Sequence, residues 1–250
     1  MFSWRVKKQL FYFGIFAAIV FIVVFGLISL LRSSPTCFDK KQNQGEQGID
    51  CGGPCQSCVF SAKEPIVLWS RLFETAQKGF YDAAALIENP NPNFKISSFK
   101  YRFKLYDEQN ILVALKEGEN FLSSGDKLLI LERELRAGER TPKRAGFEII
   151  SKIFESGQKQ EIPVKIIDKK FSKQLFPEVK IILENTSLFP VENIALQIAL
   201  LDESGNVYQV HKTKIDKIEG EARKSVVLTW PFDFKEPQNI EVYFQQIPRI

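Results

Sequence analysis

Residues 10–31, LFYFGIFAAIVFIVVFGLISLL, run for 22 positions without a charged side chain, and only Ser29 and the Tyr12 hydroxyl are appreciably polar. At 1.5 Å per residue a helix of this length covers about 33 Å, against about 30 Å of bilayer hydrocarbon. The run therefore predicts a transmembrane helix over 10–31 and makes the lipid bilayer the first expected partner. The flank before it, residues 1–9, carries Arg5, Lys7 and Lys8 and no acid, so the positive-inside rule leaves that end in the cytoplasm and exports the remainder. The apolar core of a cleaved signal sequence is shorter, roughly 7 to 15 residues, and ends at a small-residue cleavage site. SLLRSSPTC offers no such site and no lipoprotein pattern. The expectation is an uncleaved anchor in the cell membrane, with the carboxy-terminal nine-tenths of the chain extracytoplasmic.

All four cysteines, Cys37, Cys51, Cys55 and Cys58, fall within 37–58, CFDKKQNQGEQGIDCGGPCQSC. A tetrahedral zinc site wants close pairs converging from two turns, and here thirteen residues split the first pair while three cysteines crowd into eight positions. An exported segment meets oxidising conditions, so two disulfides are expected, and three connectivities are open. Almost nothing in the segment is apolar, so it needs such cross-links to fold. A thioredoxin-type role for Cys55 and Cys58 lacks the surrounding strand and helix pattern. Asp39, Asn43, Glu46 and Asp50 are oxygen donors that could converge on a hard cation such as calcium; the alternative is that they form turns. No other cofactor is implied.

These residues resemble a short cysteine-rich motif of secreted and surface proteins, Cys-x-Asp-Gly-x-x-Asn-Gly-x-Glu-Thr-Asp-x-Asp-Cys-Gly-Gly-x-Cys followed by a further Cys. Cys37, Asp39, Asn43, Glu46, Asp50, Cys51, Gly52, Gly53, Cys55 and Cys58 match it, whereas Lys40, Gln44, Gln47 and Gly48 depart from it. The missing acid at 48 weakens calcium binding. The resemblance implies an extracellular segment rather than an enzyme.

Beyond residue 60 the chain alternates. In FKYRFKLYD, Phe99, Tyr101, Phe103 and Leu105 share one face while Lys100, Arg102 and Lys104 share the other, the mark of a half-buried antiparallel strand. IALQIALLD repeats the pattern with Ile194, Leu196, Ile198 and Leu200. Each of these strands is preceded by Glu-Asn, at Glu88 and Asn89 and at Glu184 and Asn185, and followed by a hairpin signal, DEQN from Asp107 and DESGN from Asp202. The common offset of 95 to 96 residues predicts an internal duplication. Further strands are expected over 66–74, 81–88, 111–116, 128–136, 147–154, 164–167, 178–183, 207–215, 223–230 and 240–246; SRLFETAQKG, the best helix candidate, reads equally well as a strand entering a turn. The 22 phenylalanines, against one methionine, suit strands.

The fold expected is mainly β: one transmembrane helix, a disulfide-rich segment and two tandem Ig-like antiparallel sandwiches. Its boundaries are 1–9 cytoplasmic, 10–31 transmembrane, 32–59 a cysteine-rich collar, 60–157 the first sandwich and 158–250 the second. The short join near 156–163 predicts a nearly end-to-end rod. Phe103, Leu105, Tyr106 and Asp107, behind IENPNPNFKISSF, resemble the FxLYD domain, a bacterial Ig-like sandwich; the second copy keeps Ile198, Leu200 and Asp202 but has Leu201 for the tyrosine. The resemblance implies an exported, non-catalytic module.

Chemistry is sparse. Outside residues 1–32 the chain carries 30 basic and 30 acidic side chains, without the clustered basic face that nucleic acid requires. The single histidine, His211, lies in a strand pattern, and no nucleophile elbow, phosphate-binding glycine loop or HExxH pattern occurs. Asp107 and Asp202 read as turn caps, Trp69 and Trp230 as core residues, and the basic run 136–144 as a loop. The function expected is presentation of two Ig-like domains outside the membrane for contact with an envelope or surface protein, or for envelope architecture. One alternative is an accessory subunit of a secretion or pilus machine docking through its helix. The other, an envelope enzyme, would have to work through His211.

Overall fold

The computed structural model describes residues 4–31, 36–56, 62–159 and 161–247. It divides into two compact units, Met1–Phe60 and Ser61–Ile250.

In the first unit, α1 (Trp4–Leu31) is a 28-residue helix, about 42 Å at 1.5 Å per residue. Its described side chains are exposed on every side, Phe13, Phe16, Phe21 and Ile22 among them. Among the described residues no helix is long and apolar enough to cross a membrane.

The described residues of the second unit form twelve strands: β1 (Ile66–Glu74), β2 (Phe80–Glu88), β3 (Phe94–Tyr106), β4 (Leu112–Leu122), β5 (Lys127–Arg136), β6 (Arg144–Ser156), β7 (Val164–Lys173), β8 (Pro177–Asn185), β9 (Val191–Leu201), β10 (Val207–Ile218), β11 (Arg223–Thr229) and β12 (Asn239–Gln246). Every strand expected from periodicity is present, and SRLFETAQKG is the end of β1 followed by a turn. The strands form four three-stranded antiparallel sheets, β1-β2-β5 and β4-β3-β6, then β7-β8-β11 and β10-β9-β12. The second set repeats the order of the first.

The duplication extends to single side chains. Asn89 and Asn185 are both fully buried. The Asn89 Nδ2 donates to the carbonyls of Phe94 (2.7 Å) and Ser123 (3.1 Å), and that of Asn185 donates to Phe189 (2.8 Å), Ile218 (3.1 Å) and Glu219 (3.0 Å). Each Oδ1 accepts the backbone N–H two residues on, from Asn91 or Ser187. Asp107 and Asp202 are equally alike. The Oδ1 of Asp107 accepts N–H groups from Gln109 and Ile111, and that of Asp202 from Ser204 and Asn206. Both hairpins turn through a left-handed residue, Asn110 in one and Gly205 in the other. These short polar side chains satisfy backbone groups that sheet pairing leaves open at the strand ends.

Within each half the two sheets close on an apolar core. In the first, Ala83, Ala85, Ile87, Ile96, Phe99, Phe103 and Leu105 are almost completely buried. In the second, Val179, Ile181, Leu183, Ile194, Leu196, Ile198 and Leu200 play the same part, with Trp230 at 4% exposure. A third cluster unites the halves: Phe73, Ala84, Leu86, Leu129 and Leu131 of β1-β2-β5 meet Ala199, Leu201, Val207 and Val210 of β9 and β10. The halves therefore stack face to face rather than end to end as the short join suggested, giving four sheet layers in the order β4-β3-β6, β1-β2-β5, β10-β9-β12, β11-β8-β7. Burial on both faces explains why β2 and β9 lack strict alternation: Ala83 through Ile87 and Ile198 through Leu201 are all buried. Alanines keep these middle sheets close. At the rim, Arg71 donates to Val207 O (3.1 Å) and Asn206 Oδ1 (2.8 Å), Lys212 to Leu131 O (2.6 Å), and Gln245 to Asn120 Oδ1 and Phe121 O (2.8 Å each).

Replacing either buried asparagine orphans carbonyls that water cannot reach. Asn89→Ala and Asn185→Ala should each destabilise the second unit by about 2 to 3 kcal/mol, read as a lowered urea midpoint with unchanged slope.

Candidate functional site

The collar is clasped by a disulfide between Cys37 and Cys55, 18 residues apart. Cys51 is disulfide-bonded as well, and Cys58 lies outside the described residues. The chain between them turns repeatedly through left-handed backbone, at Lys40, Gln44, Gly45, Asp50, Gly52 and Gly53. Gly52 and Gly53 admit no side chain: a Cβ on either would lie 2.7 Å from Gln47 Cβ or Gly45 O. The Cys-Gly-Gly sequence therefore has a steric cause.

The four oxygen donors are brought into this one loop, where the carboxylates close turns. Asp50 accepts Lys40 N–H with both oxygens (3.0 and 3.1 Å), and Asp39 accepts Lys41 N–H (2.9 Å) and Asn43 Nδ2 (2.8 Å). The Asn43 side chain is the foremost influence holding the Asp39 carboxyl below its ordinary range. Glu46, 6% exposed, accepts the N–H groups of Asn43 and Asp50 on one oxygen (3.2 Å each), and its other oxygen lies 3.1 Å from Cys55 Sγ. Among the described residues the one cluster of metal-type ligands is Cys37, Glu46 and Cys55, and its two sulfurs are joined to each other and so are not thiolates. Asp39, Glu46 and Asp50 do not form such a cluster. The arrangement does the work of a turn lattice, with the buried Asn43 Oδ1 left unpaired.

The motif Phe103, Leu105, Tyr106 and Asp107 is likewise part of the folded framework. Phe103 and Leu105 are core residues, and the Tyr106 ring lies under the Arg144 guanidinium at 4.5 Å. Asp107 is 7% exposed. Its burial opposes ionisation, but the N–H groups of Ile111 and Gln109 and the Arg140 guanidinium (2.6 Å) outweigh it and hold the carboxyl below 3.8. Arg140 and Arg144 belong to the basic run, which covers the end of β5, the β5–β6 loop and the start of β6.

One constellation escapes any linear reading. Where the halves stack, a cleft of about 210 Å³ is walled by Phe73, Phe80, Trp230 and Phe232 and carries Asp82, Arg133, Glu134 and His211. Asp82 accepts Glu134 N–H (2.9 Å) and lies 3.8 Å from Arg133 Nε. Burial raises its pKa against those two influences. Glu134 is held at φ 59° by the bulge that breaks the β2–β5 register between Tyr81 and Ala83. His211 packs edge-on against Trp230, ring centroids 5.1 Å apart, with Nδ1 3.1 Å from Lys212 O. Burial first, and then Arg133, push its pKa below 6.5 against the opposing pull of Asp82 and of the Lys212 and Thr229 backbone. Trp230 Nε1 is buried and unpaired. Asp82 and His211 are 129 positions apart in sequence, and no local pattern marks either.

No family model matches the chain, and no curated protein matches it. Among solved structures the crystal structure of red sea bream transglutaminase is similar over 73% of this chain, at 10% identity and a TM-score of 0.26. The chain spans 29% of the length of that protein, and so slight a likeness carries no argument.

Two outcomes follow from this geometry. The unfolded chain takes up a proton on its histidine near 6.5, before the folded chain does, so stability should fall as pH drops below about 6.5 and level off once folded His211 is itself protonated. The fall should vanish in His211→Gln, as urea midpoints at pH 5 and 7 would reveal. Opening the collar in Cys37→Ser/Cys55→Ser removes a cross-link worth about 3 kcal/mol in the chain-entropy model. That variant should become protease-sensitive within 37–58 while the urea midpoint of the second unit, which contains no cysteine, stays put.

Proposed function

We propose that the chain is a single-pass membrane protein, cytoplasmic at its amino terminus, that presents two Ig-like sandwiches on the outer side of the cell membrane for contact with an envelope or surface protein. The observation that carries this reading is the uncharged stretch 10–31 within α1, whose described side chains are apolar on every face over 11–26. A helix apolar all round must be covered, by a protein core or by lipid, and the described collar is mostly polar, with Phe38 and Ile49 its exposed large apolar side chains.

Presentation rather than catalysis is supported by where the reactive groups lie. The collar carboxylates close turns, Asp107 caps a hairpin and Cys37 is cross-linked to Cys55, so these groups hold the backbone; Asp82 and His211, which share the cleft, are the exception. The face-to-face stack makes the two sandwiches one stiff body, and its hairpins and outer sheet faces are free to vary without disturbing the core. The collar and the FxLYD-like motif suit an exported module of this type.

A charge at mid-helix costs about 2.5 to 3.5 kcal/mol on insertion scales. Membranes from cells making the native chain should therefore retain it through alkaline carbonate extraction, and the triple variant Phe16→Arg/Val20→Arg/Val24→Arg, whose charges together outweigh the remaining apolar residues, should be released. Release of the native chain would overturn the anchor.

A further inference from the structure

The two copies handle the equivalent loop differently. After Asn89 the chain continues Pro90, Asn91, Pro92, Asn93; the exposed tip is Pro92 and Asn93, and Asn91 turns inward to bind the Lys63 backbone through two 2.7 Å hydrogen bonds. After Asn185 it continues Thr186, Ser187, Leu188, Phe189, and here Leu188 and Phe189 stand 74% and 76% exposed. Nothing about this exposure is slack. Asn185 and Ser187 side chains hold the Phe189 carbonyl at 2.8 Å each, Glu221 N–H binds Ser187 O, and Thr186 N–H binds Pro163 O (2.9 Å each). A Cβ on Gly220 would collide with the Leu188 carbonyl. The fold thus builds a firm cradle whose only product is a two-residue apolar tip in solvent.

The position of the tip selects its occupant. Asn91 ties down Lys63, where the chain enters the stack, and Thr186 ties down Pro163, where it enters the second half. Gln245 links the same ends of the two halves through Asn120 and Phe121. Leu188 and Phe189 therefore lie at the end of the stack through which the chain arrives, and in a chain anchored by 10–31 that end is tethered to the bilayer. A specific protein interface buries about 1,600 Å², far beyond what two side chains on a convex tip can offer. A bilayer accepts a small apolar wedge, and a tether supplies the effective concentration that makes weak insertion sufficient. Around the tip Glu184 pairs with Arg223 and Lys217 with Glu219, and Glu221, whose N–H binds Ser187 O, adds a further acid, so no basic excess draws the tip to lipid and the attraction is apolar rather than ionic.

We infer that the β8–β9 tip, Leu188 with Phe189, inserts into the surface of the membrane that anchors the chain and sets the stack's orientation on it. This rests on the proposed anchor. The test uses the full chain in phosphatidylcholine proteoliposomes, with the photo-crosslinker p-benzoyl-phenylalanine placed at 189 or, as a control, at Leu175, which is 83% exposed in the β7–β8 turn at the other end of β8. Lipid adducts should form several-fold more at 189 than at 175, persist at high salt, and be displaced when Leu188→Ser accompanies the probe. Equal lipid labelling at the two positions, or labelling at 189 confined to protein, overturns the inference. Carbonate extraction of the same vesicles separates the two failures: chain retained without lipid adducts at 189 sinks the tip alone, whereas chain released sinks the anchor and the tip with it.

Discussion

The apolar layer between β1-β2-β5 and β10-β9-β12 decides the form of the second unit. Each buried apolar side chain there contributes on the order of 1.5 to 3 kcal/mol, and Phe73, Leu86, Leu129, Leu131, Leu201, Val207 and Val210 all face the layer. Removing that layer would leave two middle sheets with apolar outer faces in water. With it, two small sandwiches become one body, and the cleft bearing Asp82, Arg133 and His211 exists because their edges meet. The alanines of β2 and Ala199 of β9 let the two sheets approach closely.

A duplicated framework has then been put to two uses. Asn89 and Asn185 close the same strand ends by the same hydrogen bonds, and Asp107 and Asp202 close the same hairpins, because buried backbone groups must be satisfied in both copies. What those residues hold has diverged. The Asn89 loop grips the entering chain, and the Asn185 loop projects Leu188 and Phe189. Asp107 has recruited Arg140, whereas Asp202 lies on an exposed hairpin. The collar is a contrast: lacking a core, it rests on cross-links, left-handed turns and carboxylates folded back on N–H groups.

Much of this was legible in the residues. Strands such as β3 could be read because one face is wet and one dry, and the Glu-Asn and Asp-turn signals marked the repeat because the side chains that make them act locally. The Cys-Gly-Gly run likewise reflects a local steric demand. The stacking of the halves was not legible, since a short join is compatible with a rod or with a fold back, and runs such as DAAALI do not name the surface that covers their second face. The acids of the collar were ambiguous for a related reason: oxygen donors at these spacings serve a cation or a turn equally well, and the N–H groups that Asp39, Glu46 and Asp50 accept are visible only in the folded loop.

By itself the sequence determined the twelve strands, their duplication, the confinement of the cysteines to one short segment and the uncharged stretch before it, all of which depend on neighbours within a few residues or on a simple period. Tertiary structure alone decided which sheet faces meet, that His211 and Asp82 share a cleft, and that Leu188 and Phe189 lie at the end where the chain arrives. Those outcomes depend on surfaces distant in sequence finding one another, and the free energy of that meeting is a property of shape and burial that no local pattern contains.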